Sequence, residues 1–268
     1  MKNWKGKTVV IAGGSRGLGL ALAREFGSLG ADLILLARGD AELQQVANRL
    51  EKDAISVRTR SMDALDPESV EQAFAAIGQD SKIDVLVNAI GKSTRSDIEN
   101  MDLDEAESLM DLNYFSALRC TRAALPKLLD SRGHLVNIGS LSSKTAWPFM
   151  TPYSASKFAL AALTHQLRIE LGDRLHAMLV CPGPIKREDA GQRYEEEATG
   201  LPDAAKQPGG GARLKGICPA RLSRLIVRGC EKRKAELVVP WKANLLFIAS
   251  SLSTRLGDWL LKKSGKSQ

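Results

Sequence analysis

Short apolar runs alternate along the chain with longer stretches of helical periodicity, the pattern of a parallel sheet covered by helices on both faces. The runs at 8–12, 32–37, 56–60, 85–89, 134–138, 177–181 and 236–239 predict seven strands. Several are unbroken Val/Ile/Leu segments, as strands buried on both sides require. Between them, 18–29, 41–52, 68–77, 103–129, 153–171 and 221–232 predict helices. The third has a clear start signal in Asp66-Pro67-Glu68-Ser69: an N-cap acid, then proline and a second acid in the first turn. No linker or internal repeat divides the pattern. It predicts an α/β fold, one doubly wound parallel sheet in a single domain over 1–268.

Two segments break the rhythm. Residues 186–218 are polar and Gly/Pro-rich, with Glu195-Glu196-Glu197 and Gly209-Gly210-Gly211, and read as a long insertion. Residues 244–261 place Leu245, Ile248, Leu252, Leu256 and Trp259 at helical spacing, with Arg255 and Lys262 nearby, and predict a basic amphipathic helix.

Composition narrows the function classes. With 268 residues, 44% hydrophobic and 26% charged, the chain can bury a large core. At 5% aromatic it lacks the stacking platforms of single-stranded nucleic-acid binders, and no DNA- or RNA-binding motif is present. Cys120, Cys181, Cys218 and Cys230 form no CxxC pair, and His134, His165 and His176 no HExxH pattern. Neither a metal site nor a disulfide framework is expected. The N-terminal residues carry no apolar leader core, and no stretch reaches membrane-span length, so a cytoplasmic location is expected. The net charge of +7 is uneven. Residues 213–268 hold 13 Lys/Arg against three acids, and the preceding 212 hold 25 against 28.

The first strand ends in Ala12-Gly13-Gly14-Ser15-Arg16-Gly17-Leu18-Gly19 and leads into a helix. Gly13, Gly17 and Gly19 allow a tight turn, a close backbone approach and a helix N-terminus aimed at a pyrophosphate. Glycines also mark plain turns; the placement between first strand and first helix is what favours a dinucleotide site, and with it a Rossmann fold. An NAD site wants a carboxylate about 20 residues further on, at the end of the second strand. Ala37 and Arg38 stand there instead. A guanidinium grips a ribose 2′-phosphate that a carboxylate would repel, and Arg16 is a second candidate cation, so NADP(H) is expected. The alternative is a solvated Arg38, with Asp40 reaching a ribose hydroxyl.

Tyr153-Ser154-Ala155-Ser156-Lys157 opens a helix with Tyr153 and Lys157 one turn apart on one face. An ammonium about 4 Å from a phenol is worth about 4 kcal/mol at an effective dielectric of about 20. That carries a phenol's titration toward neutrality, where general acid–base catalysis works best, though solvent shrinks the effect. Alone, Tyr-x3-Lys is a surface pair. Thirteen residues upstream, however, Ile138-Gly139-Ser140 ends the fifth strand, where a hydroxyl can polarise a carbonyl.

The Gly-x3-Gly-x-Gly spacing with these motifs resembles the single-domain branch of the short-chain dehydrogenase/reductase family over about residues 7–185. The resemblance implies hydride transfer between nicotinamide and a carbonyl or alcohol. Tyr153 would handle the proton, Lys157 would tune Tyr153 and hold the nicotinamide ribose, Ser140 would bind the reacting oxygen, and Asn113 would continue a proton relay. It further implies cofactor contacts by Gly13, Ser15, Arg16, Gly17, Leu18, Gly19, Arg38, Asp63, Asn88, Ala89, Gly91, Pro182, Gly183 and Ile185. Asp63, which matches the family's adenine contact, could equally be a helix-proximal cap.

The chain departs from the family at several points. Ala12 replaces a usual Thr, Ala89-Ile90 alters the Asn-Asn-Ala-Gly stretch, and Lys186-Arg187 stand where a Thr contacts the nicotinamide amide. Residues 144–152 and 186–218 should shape the substrate pocket, for a lipophilic carbonyl or an oxoacyl thioester among other candidates. A homo-oligomer, dimer or tetramer, is expected. The C-terminal helix either buries its stripe on its own domain or a dimer partner, or attaches peripherally to an anionic membrane. A dinucleotide-binding regulator without chemistry is the competing function. A sugar-nucleotide epimerase is disfavoured, because little chain remains for a substrate domain.

Overall fold

The computed structural model describes residues 4–78, 82–187, 198, 200–206 and 215–265. Seven strands form one parallel sheet in the order β3-β2-β1-β4-β5-β6-β7. They are β1 Thr8–Ala12, β2 Asp32–Ala37, β3 Val57–Ser61, β4 Val85–Asn88, β5 His134–Ile138, β6 His176–Pro182 and β7 Glu236–Val239. The expected strands all form, with ends shifted by at most one residue.

Successive strand side chains point to opposite faces, so each strand feeds two cores. Val9, Ile11, Leu33, Leu35, Val85 and Val87 meet helices α1 Gly17–Ser28 and α2 Asp40–Lys52. Leu222, Ile226 and Val227 of the later helix Pro219–Glu231 join the same core. The alternate residues Val10, Ile34, Leu86, Leu135 and Ala177 meet α3 Pro67–Ala75 on the other face. That layer is completed by the helices at Ser116–Ser131 and Thr151–Leu171. The unbroken apolar runs in the sequence are this two-sided burial.

The helix expected over 103–129 forms, but not as one regular α-helix. It comprises α4 Leu103–Met110, a π-helical turn Asp111–Phe115 and α5 Ser116–Ser131, with helical backbone at both junctions. The wide turn carries Asn113, fully buried, and Ser116 Oγ donates to the Leu112 carbonyl within it. Propensity cannot reveal such a turn; the hydrogen bonds of the Asn113 side chain hold it open. The next helices are α6 Thr151–Leu171 and α7 Pro219–Glu231.

The C-terminal segment differs more from expectation. It is two helices, α8 Ala243–Leu252 and α9 Thr254–Gly265, broken at Ser253, whose backbone is extended. Ser253 Oγ accepts from Leu256 N–H at 3.3 Å, capping α9. Gly257 lets the two helices meet, since a Cβ there would lie 2.7 Å from Ser250 Oγ. Phe247 is the residue buried against the domain, whereas the stripe picked out by spacing stays exposed. Most of the insertion expected over 186–218 lies outside the described residues.

At the edge of the sheet opposite the strand ends that face β1's glycine turn, His134 and His176 are paired in register, their Nδ1 atoms 2.7 Å apart. His176 Nε2 lies 2.8 Å from the Lys234 carbonyl and must donate there, so its Nδ1 accepts from His134. A second proton on His176 would set two N–H groups against each other. Burial, the largest cause, holds the His176 pKa below its ordinary value, with Arg233 and Arg168 acting the same way. The unfolded chain therefore takes up this proton first, and stability falls as pH drops below about 6.5. The melting temperature is expected to fall between pH 7 and pH 5, and His176→Gln to flatten that slope; equal slopes in thermal unfolding would contradict this.

Candidate active site

The crevice lies at the carboxyl ends of the neighbouring strands β1 and β4, where the strand order reverses direction. Gly13 turns the chain out of β1 with φ +86°, and its N–H donates to the Leu36 carbonyl at 2.8 Å. Gly19, in the first turn of α1, packs directly on this turn: a Cβ there would sit 2.0 Å from Gly13 O. The turn also lies against the end of β4, where a Gly13 Cβ would be 3.1 Å from Ile90 N. No side chain caps α1, whose N-cap is Arg16, so its first N–H groups remain for an anion. This is a cradle that a pyrophosphate fits and side chains would fill. Leu18 and Ile185 both pack on the core beneath it. Ile185 is held there by pairing with Ile217, whose N–H donates to Pro184 O at 2.8 Å. Pro182 ends β6, and Gly183 N–H donates to Val239 O at 2.7 Å.

Beyond the cradle, Arg16 and Arg38 are exposed, and Asp40 is exposed in the first turn of α2. Ser15 is buried and donates from Oγ to Glu42 Oε2 at 3.1 Å. Glu42 was not apparent as a site residue. Its only sequence signal is a place in the first turn after Arg38. Asp63 lies next to the β2 end, because Met62 N–H donates to Ala37 O. Its carboxylate accepts from Leu65 N–H at 3.0 Å, and its own N–H donates to Ser69 Oγ at 2.9 Å, so it caps its turn.

The reacting groups gather around β4, β5 and α6. Lys157 is buried, and its Nζ donates to the Ile138 carbonyl at 2.9 Å. Its ammonium lies 5.8 Å from the centre of the half-buried Tyr153 ring. Burial brings the Lys157 pKa down from 10.5 to about 8. Asn113 Nδ2 donates to Lys92 O and Ser156 Oγ, both at 2.9 Å, and its Oδ1 accepts from Lys92 N–H. Ser156 Oγ in turn donates to the Tyr153 carbonyl at 2.8 Å. Ser156 was not singled out from sequence; it ties the π turn to α6 at the tyrosine. Gly91 is required at the centre, where a Cβ would lie 2.8 Å from Asn113 Oδ1 and 3.2 Å from Lys157 Nζ. Ser140 caps a 3-10 turn Leu141–Ser143, its Oγ accepting from Ser142 N–H at 3.1 Å, which leaves its proton to donate.

One expected contact residue points elsewhere. The Asn88 side chain turns into the core, with Nδ2 near Ala117 O, Thr121 Oγ1 and, at 2.8 Å, Asn137 Oδ1. Asn137 Nδ2 donates to Thr164 Oγ1 at 2.9 Å. Asn88 therefore braces β4 against β5, α5 and α6. Ala89, next along, is fixed by its N–H donating to Ala12 O at 2.9 Å. Among the described residues no cluster of three His, Cys, Asp or Glu side chains could hold a metal ion. No described helix is long and apolar enough to cross a membrane.

Known proteins resemble this chain in sequence and in fold. A family profile described as short chain dehydrogenase matches residues 7–198. An 11-beta-hydroxysteroid dehydrogenase 1A of Arabidopsis thaliana is 36% identical over 199 residues, covering 72% of this chain and 56% of that protein. The chain thus spans little more than half the length of that curated relative. A dehydrogenase/reductase SDR family protein 7-like of Drosophila melanogaster is 30% identical over 278 residues, covering 96% of this chain and 80% of the relative. The crystal structure of an actinorhodin polyketide ketoreductase with NADPH superposes with a TM-score of 0.76 at 23% identity, over 87% of this chain and 95% of that one. Sheet order, glycine cradle and profile match agree, and the chain belongs to the short-chain dehydrogenase family of oxidoreductases that bind a nicotinamide dinucleotide.

Proposed function

We propose that this chain is an NADP(H)-dependent reductase of ketones or aldehydes with a Ser140-Tyr153-Lys157 site, working in the cytoplasm as a single-domain homo-oligomer. The observation that carries the reading is the buried Lys157 ammonium beside Tyr153, with Gly91 and Asn113 shaped around it. A charge is costly to bury, and chemistry is the usual reason to retain one.

When bound, the nicotinamide supplies or accepts the hydride. Ser140 donates its hydroxyl proton to the carbonyl oxygen and orients it. Tyr153 gives its phenolic proton to that oxygen as negative charge develops, or removes it in the reverse direction. The Lys157 ammonium favours proton release from the phenol and would also hold the ribose of the bound nucleotide. Asn113 holds the loop at Lys92 in place, keeping the floor of the pocket rigid. The α1 N-terminus would hold the pyrophosphate, and Ile185 with Pro182 and Gly183 would hold the nicotinamide end. Arg38 and Arg16, neither in an ion pair among the described residues, would grip the 2′-phosphate. A lipophilic carbonyl or an oxoacyl thioester is the substrate class, in keeping with relatives named for hydroxysteroids and, in a Nostoc protein, ketoacyl reduction. Phe115, Phe158 and Ile169 leave apolar surface exposed on the π turn and α6, which suits assembly of copies.

NADPH consumption with a panel of carbonyls is expected to drop by more than about a hundred-fold in Tyr153→Phe. Wild type no faster than that variant would instead favour a dinucleotide-binding regulator. Arg38→Asp is expected to raise the KM for NADPH at least about ten-fold while sparing NADH; unchanged preference would assign the 2′ site elsewhere.

Gly91→Ala should displace Asn113 Oδ1 and Lys157 Nζ, lowering turnover at least about ten-fold with a small change in melting temperature. Lys157→Met should abolish turnover without destabilising the fold at neutral pH. The depressed Lys157 pKa opposes folding below about pH 8, by about 3 kcal/mol at most, and the opposition fades toward pH 10.5. Any stability gain in Lys157→Met is therefore largest at or below pH 8. A marked loss of melting temperature at pH 7 would refute that account. In the wild type, kcat/KM for reduction should fall above about pH 8 as the ammonium loses its proton.

A further inference from the structure

Half of the exposed large apolar side chains among the described residues lie in the nineteen positions 241–259 around the C-terminal elbow. They are Trp241, Leu245, Ile248, Leu252, Leu256 and Trp259, with Leu252 81% and Trp241 65% exposed. Single exposed apolar residues are ordinary, whereas six so close together along the chain are not. Leu245, Ile248 and Leu252 fall at i, i+3 and i+7 on one face of α8, and Leu256 and Trp259 at i and i+3 on α9. The elbow is not loosely attached: Phe247 is buried, and α8 walls a cavity of about 360 Å³ with Lys144 and Glu236. Lys144 and Glu236 form an ion pair at 2.9 Å there, so the elbow abuts the loop that follows Ser140.

Charge identifies the occupant of the apolar face. Residues 241–268 contain five Lys/Arg against a single acid, Asp258, and Lys242, Arg255 and Lys262 are exposed beside the stripe. A second copy docking through the same patch would set like charges against each other. An anionic bilayer complements both features at once, taking leucines and isoleucine into the acyl boundary and basic groups at the headgroups. Trp241 and Trp259 have the amphipathic rings that favour that depth. Neither helix is long enough to span, which leaves the in-plane mode.

We propose that the α8–α9 elbow seats this protein reversibly on an anionic membrane surface, through its Leu/Ile/Trp stripe and flanking Lys and Arg. The surface is independent of the chemistry proposed above, so Tyr153→Phe should bind membranes as the wild type does.

Sedimentation of the full chain with phosphatidylcholine vesicles, with and without about one third phosphatidylserine, tests the proposal. The full chain is expected to pellet with the anionic vesicles and to stay in solution with phosphatidylcholine alone. Binding should weaken as salt rises. The double variant Leu252→Ser/Trp259→Ser should lose more than about ten-fold in affinity, and Lys242→Glu/Arg255→Glu more than about fifty-fold. Both should keep the wild-type melting temperature. Wild type left in the supernatant, or variants that pellet equally well, would overturn the proposal. So would variants whose sole effect, seen by sedimentation velocity without lipid, is a smaller oligomer, since the face would then join copies of this chain.

Discussion

An ammonium held away from water is the constraint around which the site is arranged. Lys157 donates to the main-chain Ile138 O, and its burial brings its pKa down to about 8. Everything adjacent accommodates it: a glycine at 91 where any side chain would collide, and a wide helical turn that brings Asn113 to the same spot. Such a group costs stability at neutral pH, and the two well-packed faces of the sheet make that cost tolerable.

The sheet supplies the rigidity. All seven strands run the same way, so their carboxyl ends gather the glycine turn, Asn88, Gly139-Ser140 and Pro182 along one edge. Backbone bonds lock that edge from strand to strand: Gly13 to Leu36, Ala89 to Ala12, Gly139 to Val180 and Gly183 to Val239. Beneath it, the Asn88–Asn137–Thr164 side chains join two strands and a helix through buried polar bonds. A polar network at that depth favours one register of the elements around it.

The fold was legible in the sequence because two-sided burial writes itself as unbroken apolar strands. Gly19 was legible as well, since glycine spacing after a first strand reports a backbone collision directly. Asn88 was only half legible: its motif marks the crevice, but the direction of its side chain depends on Thr121 and Asn137, distant in sequence. Ser156 and Glu42 were hidden for the same reason, as each acts through a partner brought close only by folding. The single helix expected at the C-terminus ignored Ser253, a good cap for a second helix, and Gly257, which lets that helix fold against the first.

The π turn has an outside as well as an inside. Asn113 points inward to Lys92 and Ser156, while Phe115, two residues along, stands 43% exposed with the Arg119 guanidinium 5.7 Å from its ring. One irregular loop of helix is thus shared by the innermost amide of the pocket and an apolar side chain on the outer wall. The outer wall and the pocket floor are therefore separated by no more than a single turn of backbone.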